Sequence, residues 1–351
     1  MAFRMERLSA TAHLSYQYMS ARKRLGPLAI PLAAAALSAL AVTPVLLAQE
    51  EPTIKVQVSL VNILFSVHDK KGELIGNLNK DDFSIYEDGQ KQEIKYFTRE
   101  NDLPLTLGLL IDVSRSQMNL IGIEQSAASQ FFNEVIRPKD LAFVISFGSE
   151  AELLQDYTSS PRLLQHALQG LQVNSDAGGL EPGPVPTAST PRGTILYDAV
   201  YLAADQQLHG QVGRKALVLI TDGDDQGSRY SRDQSIEAAQ RADAIVYSIY
   251  YVDHGFYAQN GFGITFGGSG EGELKRMSDQ TGGRVFKVSR NHTLHDIFNE
   301  LQQELRSQYA IAYFPSNSAK DGTFRRIEIR TGNKNYRVQA RTGYYATPSP
   351  N

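Results

Sequence analysis

The sequence predicts an α/β protein: a doubly wound, mostly parallel six-stranded sheet with a β-sandwich beside it. The first observation is that strand-length apolar runs alternate with helical patterns between residues 104 and 307, which is typical of a parallel sheet covered by helices. The second is that apolar and polar residues alternate in residues 49–103 and 308–346, as in half-buried strands. Because each flank has too few strands to bury its own apolar face, we expect the two flanks to pack together as one sandwich.

The composition limits the classes of partner and of site. The chain has 351 residues, enough for about two domains. Its net charge is −3 and its pI is about 6.2, which argues against nucleic acid or an acidic membrane surface as the main partner. It has no cysteine, so disulfides, zinc–cysteine sites, iron–sulfur clusters and cysteine nucleophiles are excluded.

The N-terminus carries an export pattern. Arg22-Lys23-Arg24 precede an apolar stretch, Leu25–Ala48, which ends in a small residue. A basic patch followed by an apolar core and a small residue is typical of a secretory signal, so we expect residues 1–48 to be a signal peptide cleaved after Ala48. The stretch is long for a signal core, and an uncleaved membrane anchor is the alternative. Either reading places the protein in the periplasm, in the cell envelope or outside the cell.

The two flanks contain the strands of the expected sandwich. In the N-terminal flank, Ile54–Leu60 and Val61–Val67 alternate in opposite registers, which predicts a bend between them. Phe83–Gln90 is predicted to be a strand leading into an Asp-Gly hairpin, with Ile94–Phe97 as the return strand. Three strands are predicted in the C-terminal flank: Tyr309–Tyr313, Arg325–Arg330 and Tyr336–Arg341. The residues expected to join the flanks are Ile54, Val56, Phe65, Ile327, Ile329 and Val338. Residues 347–351 form a tail.

Six strands are predicted in the core, with Ala151–Tyr157 antiparallel at an edge and the others parallel. They are Leu105–Asp112, Asp140–Phe147, Ala151–Tyr157, Ala216–Asp222, Ala244–Tyr251 and Thr281–Phe286. The helices between them are predicted at Gln117–Ile136, Pro161–Leu171, Thr194–Leu208, Gln234–Arg241 and Leu274–Gln280.

Oxygen-bearing side chains follow the first of these strands. Leu105–Asp112 is an almost unbroken apolar run that ends in Asp112-Val-Ser114-Arg-Ser116. Open α/β sheets bind ligands at the carboxyl ends of their strands, and oxygen ligands suit a hard cation such as Mg²⁺. Asp-x-Ser-x-Ser alone is a weak signal, because aspartate and serine are also common in turns and helix caps.

Two later stretches strengthen the signal: Arg192–Ala199, which opens a helix, and Ala216–Gly223, a second buried strand that ends in an acid. In order and spacing, the three stretches together resemble the metal-ion-dependent adhesion site of von Willebrand factor type A (VWA) domains, over roughly Pro104–Arg306. The resemblance implies as metal ligands Asp112, Ser114, Ser116, Thr194 and Asp222. It implies Mg²⁺ as the metal, with Mn²⁺ or Ca²⁺ as alternatives.

The N-terminal flank adds a second resemblance. Asp81-Asp82-Phe83 and Tyr86–Gly89 resemble a VWA-related family frequent in Acidobacteria, whose biochemical role is poorly defined. In the core, the long Gly- and Pro-rich segment Val173–Arg192 leads directly into Thr194, so we expect it to lie over the metal site. Phe256–Gly272 is expected to be an exposed loop on the same face.

The expected ligand set favours binding over catalysis. Two carboxylates balance the charge of a divalent ion and the hydroxyls add none, so the metal should still attract an Asp or Glu carboxylate from a partner protein. Hydrolysis needs a positioned base or a second metal, and no such constellation is present in the sequence, so no enzymatic activity is expected. Asp198 is expected to have a structural role, because an acid in the first turn of a helix stabilises it. Asp224 and Asp225 are expected beside the ligands or in solvent.

Two alternatives stay open at the level of sequence. In one, the chain is an accessory or structural subunit of an envelope assembly, and the metal only stabilises the fold. In the other, it is a metal-dependent hydrolase that uses Asp112 and Asp222.

Overall fold

The structure, a computed structural model, describes residues 60–100, 102–173, 193–253 and 269–346. Several expectations fall outside these ranges: the signal peptide or anchor, the strand before Leu60 with Ile54 and Val56, most of the two long core loops, and the C-terminal tail. Within the described ranges, no helix is both long and apolar enough to cross a membrane.

The N-terminal flank forms four strands: β1 (Val61–His68), β2 (Phe83–Glu87), β3 (Gln90–Gln92) and β4 (Ile94–Glu100). Asp88 and Gly89 both have positive φ, as the tight turn between β2 and β3 requires. Ile94–Phe97 was predicted to return alongside β2, and this pairing is wrong, because β3 is the strand that pairs with β2. After β3 the chain crosses to another sheet, where β4 pairs with a C-terminal strand.

The core forms the predicted six-stranded sheet. Its strands are β5 (Leu105–Asp112), β6 (Leu141–Phe147), β7 (Ala151–Thr158), β8 (Arg214–Thr221), β9 (Ala244–Tyr250) and β10 (Val285–Lys287). They lie in the order β10-β9-β8-β5-β6-β7, with β7 antiparallel at one edge and the other pairs parallel. The fold class expected for the core is therefore confirmed, and β5 and β8 are neighbours.

Helices cover both faces of this sheet. They are α1 (Ile121–Val135), α2 (Pro161–Gln169), α3 (Leu196–Leu202), α4 (Arg232–Arg241), α5 (Ser269–Thr281) and α6 (Leu294–Arg306), and a π-helical segment, Ala203–Leu208, continues α3. Helices α1, α2 and α6 pack on one face, and α3, α4 and α5 pack on the other. This two-sided cover explains why the central strands are apolar throughout.

Two helices begin later than predicted, and both shifts lie beside the candidate metal centre. The chain after Ser114 first makes a 3₁₀ turn, Arg115–Gln117, and α1 begins only at Ile121. The hydrogen bonds of the Gln117 and Met118 amides to the carbonyls of Ser114 and Arg115 hold this turn. Thr194 likewise precedes α3, which begins at Leu196, instead of opening it.

The C-terminal flank completes the sandwich with β11 (Gln308–Tyr313), β12 (Phe324–Thr331), β13 (Arg337–Ala340) and β14 (Gly343–Tyr345), one strand more than predicted. The two sheets have the orders β13-β1-β11-β4 and β14-β12-β2-β3, so each combines strands from both flanks. Of the residues expected to join the flanks, Phe65, Ile327 and Ile329 are buried in one cluster, and Val338 packs against it. The shared sandwich is therefore confirmed within the described residues.

The sandwich contacts the core at the amino-terminal ends of the core strands. Arg341, between β13 and β14, forms an ion pair with Asp243, the residue before β9. The Arg341 guanidinium also donates to the carbonyl of Asn62 on β1, 3.0 Å away. The contact with Asp243 lies at the amino-terminal end of the core strands, opposite the carboxyl ends of β5 and β8.

Candidate metal centre

Two carboxylates meet at the carboxyl ends of neighbouring strands. Ile111 on β5 pairs with Ile220 on β8, so Asp112 and Asp222 follow within two residues of one paired position. Asp112 is fully buried and Asp222 is 5% exposed. Gly223 turns the chain directly after Asp222 with φ +77°, and a side chain there would lie 2.5 Å from the carbonyl oxygen of Gly270. Glycine is therefore required at this turn.

Hydrogen bonds fix the Asp112 carboxylate in place. The Thr221 hydroxyl donates to its Oδ2 at 2.6 Å, and the Ser114 amide donates to its Oδ1 at 2.9 Å. Burial, followed by the charge of Asp222, nevertheless raises the pKa of Asp112 to about 7. Burial and the charge of Asp222 therefore outweigh the hydrogen bonds to Asp112.

The two serine hydroxyls lie beside Asp112. The 3₁₀ turn brings the Ser114 and Ser116 hydroxyl oxygens to 3.0 Å from each other. Both residues are half-buried, in contrast to Asp112. The acids thus form the inner part of the cluster, and the hydroxyls form its outer part.

Thr194 bridges the loops on either side of Asp112. Its carbonyl accepts from the Gln226 amide at 2.9 Å, in the loop after β8, and the amide of Ile195 donates to the Gly148 carbonyl at 2.9 Å, after β6. Because β5 lies between β8 and β6, these bonds place the chain at Thr194 across the end of β5. Thr194 is half-buried, like the two serines.

The other acids singled out in the sequence order the surrounding loop. Asp198 accepts hydrogen bonds from the Arg229 and Tyr230 amides, at 2.8 and 2.9 Å. Asp225 accepts from the Tyr197 amide at 3.2 Å and from the Ser228 hydroxyl at 2.5 Å. Asp224 accepts from the Gln226 side chain at 2.7 Å. These contacts give all three residues structural roles in the segment that carries Asp222 and Thr194.

Three residues near the cluster were missed in the sequence. Thr221 is the hydroxyl donor to Asp112, while Gln117 and Glu124 are fully buried beside it. Burial, and then the charges of Asp112 and Asp222, raise the pKa of Glu124 well above its usual range. The signal for Glu124 was present in the pattern of α1, because it falls at helical spacing from the buried Ile121, Ala128 and Phe131.

The residues present fit a hard divalent cation. The cluster offers carboxylate and hydroxyl oxygens, the ligands that Mg²⁺, Mn²⁺ and Ca²⁺ prefer, and burial together with the charge of Asp222 raises the pKa of Asp112. Within the described residues, no group of three or more Asp, Glu or His side chains is arranged to hold an ion by itself. Any ion here therefore depends on the hydroxyls and on water as well as on the two acids.

Comparisons with known proteins give structural likenesses only. No family model matches the sequence, and no curated protein matches it. An aerotolerance-related membrane protein from Bacteroides fragilis is 13% identical, with a TM-score of 0.41 over 57% of this chain and 98% of that one. BatB from Bacteroides thetaiotaomicron is 16% identical, with a TM-score of 0.39 over 57% and 97%. Proximal thread matrix protein 1 from the mussel byssus, solved with a zinc-occupied MIDAS motif, is 14% identical, with a TM-score of 0.44 over 62% and 50%.

Proposed function

We propose that this chain is a VWA-type protein that binds a partner protein through a divalent metal held by Asp112, Ser114, Ser116, Thr194 and Asp222. Mg²⁺ is the proposed metal, with Mn²⁺ or Ca²⁺ as alternatives. The observation that carries the proposal is the position of the two acids at the ends of adjacent strands, beside two serine hydroxyls 3.0 Å apart.

The distribution of burial supports a binding role. The acids are buried and the three hydroxyl residues are half-buried, so an ion held between them faces outward. Two carboxylates neutralise a divalent ion, and Mg²⁺ readily keeps water in some of its six positions. A carboxylate from an Asp or Glu of the partner is a suitable ligand to replace such a water. The Arg341–Asp243 ion pair joins the sandwich to the core at the amino end of β9, away from the carboxyl ends of β5 and β8.

The proposal extends to location and organisation. We propose export on the basis of residues 1–48, and an order of N-terminal β segment (49–103), VWA domain (104–307) and C-terminal β segment (308–346). We propose binding rather than catalysis. Glu124 is the candidate general base beside the two acids, and it is fully buried, so a substrate cannot contact it.

The first test measures metal binding by thermal unfolding, in EDTA and in millimolar MgCl₂. Wild type should melt at a higher temperature in Mg²⁺, because a ligand at a hundredfold excess over its Kd stabilises the folded state by about 2.7 kcal/mol. Asp112→Asn keeps the side-chain volume but removes one of two acids, so its Mg²⁺-induced shift should be lost. Thr194→Ala should lose less, because a neutral hydroxyl attracts the ion less strongly.

A matched control is Asp156→Ala, an exposed acid on β7, whose Mg²⁺-induced shift should equal that of wild type. Equal shifts in wild type and Asp112→Asn would show that these residues do not hold the metal. Partner binding is tested with both proteins as baits for an envelope extract, in Mg²⁺ and in EDTA. A partner retained by wild type in Mg²⁺ alone, and not by Asp112→Asn, is the expected result. A partner held equally in EDTA would contradict metal-mediated binding.

A further inference from the structure

Glu124 is a buried acid with no neutralising partner among the residues that the structure describes. Its side chain, on the first turn of α1, is fully buried, and neither carboxylate oxygen has a hydrogen-bond partner among the described residues. The charged groups that act on it are Asp112 and Asp222, both of the same sign. A buried carboxyl group without donors or a counter-charge is costly, so its presence calls for something that supplies positive charge or hydrogen-bond donors.

Gln117 presents a third unpartnered oxygen in the same region. It is fully buried at the end of the 3₁₀ turn, and its Nε2 donates to the carbonyl of Tyr251 at 3.2 Å. Its Oε1 has no partner among the described residues. Burial and the charge of Glu124 raise the pKa of the Tyr251 hydroxyl, which places Glu124 near Tyr251 as well. The missing groups are therefore all donors.

Short contacts connect these oxygens to the metal centre. The Thr221 hydroxyl donates to Asp112 at 2.6 Å, and the Thr221 carbonyl accepts from the Tyr251 amide at 3.0 Å. Tyr251 in turn holds Gln117, which follows Ser116 directly. These contacts connect Gln117 to the cluster. Glu124 is as fully buried as Gln117, whereas the two serines are half-buried.

We infer that Glu124, with Gln117 beside it, is a third acid of the metal centre that holds the ion's inner hydration water. This inference rests on the proposed metal site. Water bound to a divalent cation offers strong hydrogen-bond donors, which are what these three oxygens lack. A role through water is also consistent with the absence, within the described residues, of three acids grouped tightly enough to hold an ion directly.

The position of Glu124 gives it a different effect from the partner's carboxylate. Glu124 is fully buried, whereas Ser114, Ser116 and Thr194 are half-buried, so an ion bound by the cluster would have this acid on its buried side. The charge of Glu124 would therefore strengthen the binding of a divalent ion, while the side chain leaves the exposed coordination position to the partner's carboxylate. Glu124 is a positioning residue for the ion's hydration shell.

The test is Mg²⁺ affinity, measured by isothermal titration of the full chain with MgCl₂. Glu124→Gln keeps the shape and removes the charge, and should weaken Mg²⁺ binding by about 10- to 100-fold, as is usual for groups that act through a metal's ligands. In EDTA the same variant should melt no lower than wild type, because a neutral amide replaces a carboxyl group whose charge is disfavoured by burial and by Asp112 and Asp222. A merely structural role would instead lower the melting temperature in EDTA and leave the affinity unchanged.

A charge exchange and a matched control complete the experiment. Glu124→Gln combined with Gln117→Glu returns one acid to the pocket and should recover part of the lost affinity. Glu134→Gln changes an exposed acid of the same helix and should bind Mg²⁺ like wild type. If Glu124→Gln binds as tightly as wild type while Asp112→Asn does not, or if the exchange recovers nothing, the inference is overturned and the proposed metal site stands. If wild type binds no Mg²⁺, both fall.

Discussion

Asp112 lies in an environment that disfavours its charge in the absence of a bound cation. Burial and Asp222 raise its pKa from the ordinary 3.8 to about 7, and Glu124 adds a third acid nearby. Between about pH 4 and pH 7 the folded, metal-free protein therefore holds a proton that the unfolded chain has released. By linkage, this group's contribution to the free energy of unfolding is greatest below pH 4 and falls as the pH rises toward 7.

We expect this contribution to appear as a difference between wild type and Asp112→Asn in EDTA. The free energy of unfolding of wild type, relative to the variant, should fall between pH 5 and pH 7.5, on the order of 1–3 kcal/mol. Urea unfolding at pH 5, 6 and 7.5 measures it. In Mg²⁺ the trend should reverse, because the ion competes with the proton for the same carboxylate. A parallel pH dependence of the two proteins in EDTA would show that Asp112 is charged throughout.

At this scale the sequence predicted the residues that end strands and missed those that face the cluster from a helix. Asp112 and Asp222 stand out because each closes an unbroken apolar run. Glu124 does not, because a glutamate in a helix is usually on a solvated face, and only its spacing from Ile121 and Ala128 marks it as buried. Whether the predicted ligands bind an ion stays a prediction.

Strand β5 depends on a glycine for its packing. Gly108 pairs with Phe143 on β6 and with Leu217 on β8. A Cβ added at Gly108 would lie 2.3 Å from the Phe143 ring and 2.7 Å from the Leu217 side chain. Gly108→Ala should therefore lower the free energy of unfolding by about 1–3 kcal/mol, measured from urea unfolding curves.

The matched control lies on the helix that follows. A Cβ at Gly122, in α1, meets no atom within 4 Å, so Gly122→Ala should stabilise the protein by about 0.5–1 kcal/mol through helix propensity. Combining Gly108→Ala with Phe143→Leu should recover part of the loss, since the smaller side chain vacates the space. A Gly108→Ala protein as stable as wild type would mean that the Phe143 ring has room to move.

At the scale of elements, apolar periodicity predicted where the strands lie, but it predicted only some of the pairs that they form. The alternation of strands and helices predicted a mostly parallel core sheet with an antiparallel strand at one edge, but it does not fix the order of β5, β8 and β6. The crossing of the chain between Gln92 and Ile94 was not predicted either, because a hairpin pattern fixes a turn and not the strand that continues from it. The late start of α3 was missed because the chain at Thr194 and Ile195 is held by contacts with loops distant in sequence. The late start of α1 was missed because a local 3₁₀ turn, held by hydrogen bonds between residues three apart, precedes the helix.

The whole molecule is joined by a buried acid that is neutralised, in contrast to Glu124. Glu304 on α6 has no exposed surface, and it lies 2.7 Å from Arg284 Nε, 3.4 Å from His68 Nε2 and 3.2 Å from the Ser66 hydroxyl. Burial acts to raise its pKa, but the hydrogen bond with His68 and the charge of Arg284 hold the pKa of Glu304 below its usual range. Since Ser66 and His68 belong to β1, this cluster connects the core to the sandwich.

The shared sandwich predicts that damage to one flank spreads to the other. Ile311, on β11 of the C-terminal flank, is fully buried and pairs with Ile63 on β1 and with Phe97 on β4 of the N-terminal flank. Ile311→Ala should cost about 2–5 kcal/mol of stability, and amide hydrogen exchange should show protection falling more in β1 and β4 than in β5. The control is Val212→Ala, at a residue that is 83% exposed, which should leave protection unchanged. The Mg²⁺-induced thermal shift of Ile311→Ala should persist, because the proposed metal centre lies at the carboxyl ends of the core strands, opposite their contact with the sandwich. Unchanged protection in β1 and β4 would mean that the N-terminal strands are stable without their C-terminal partner.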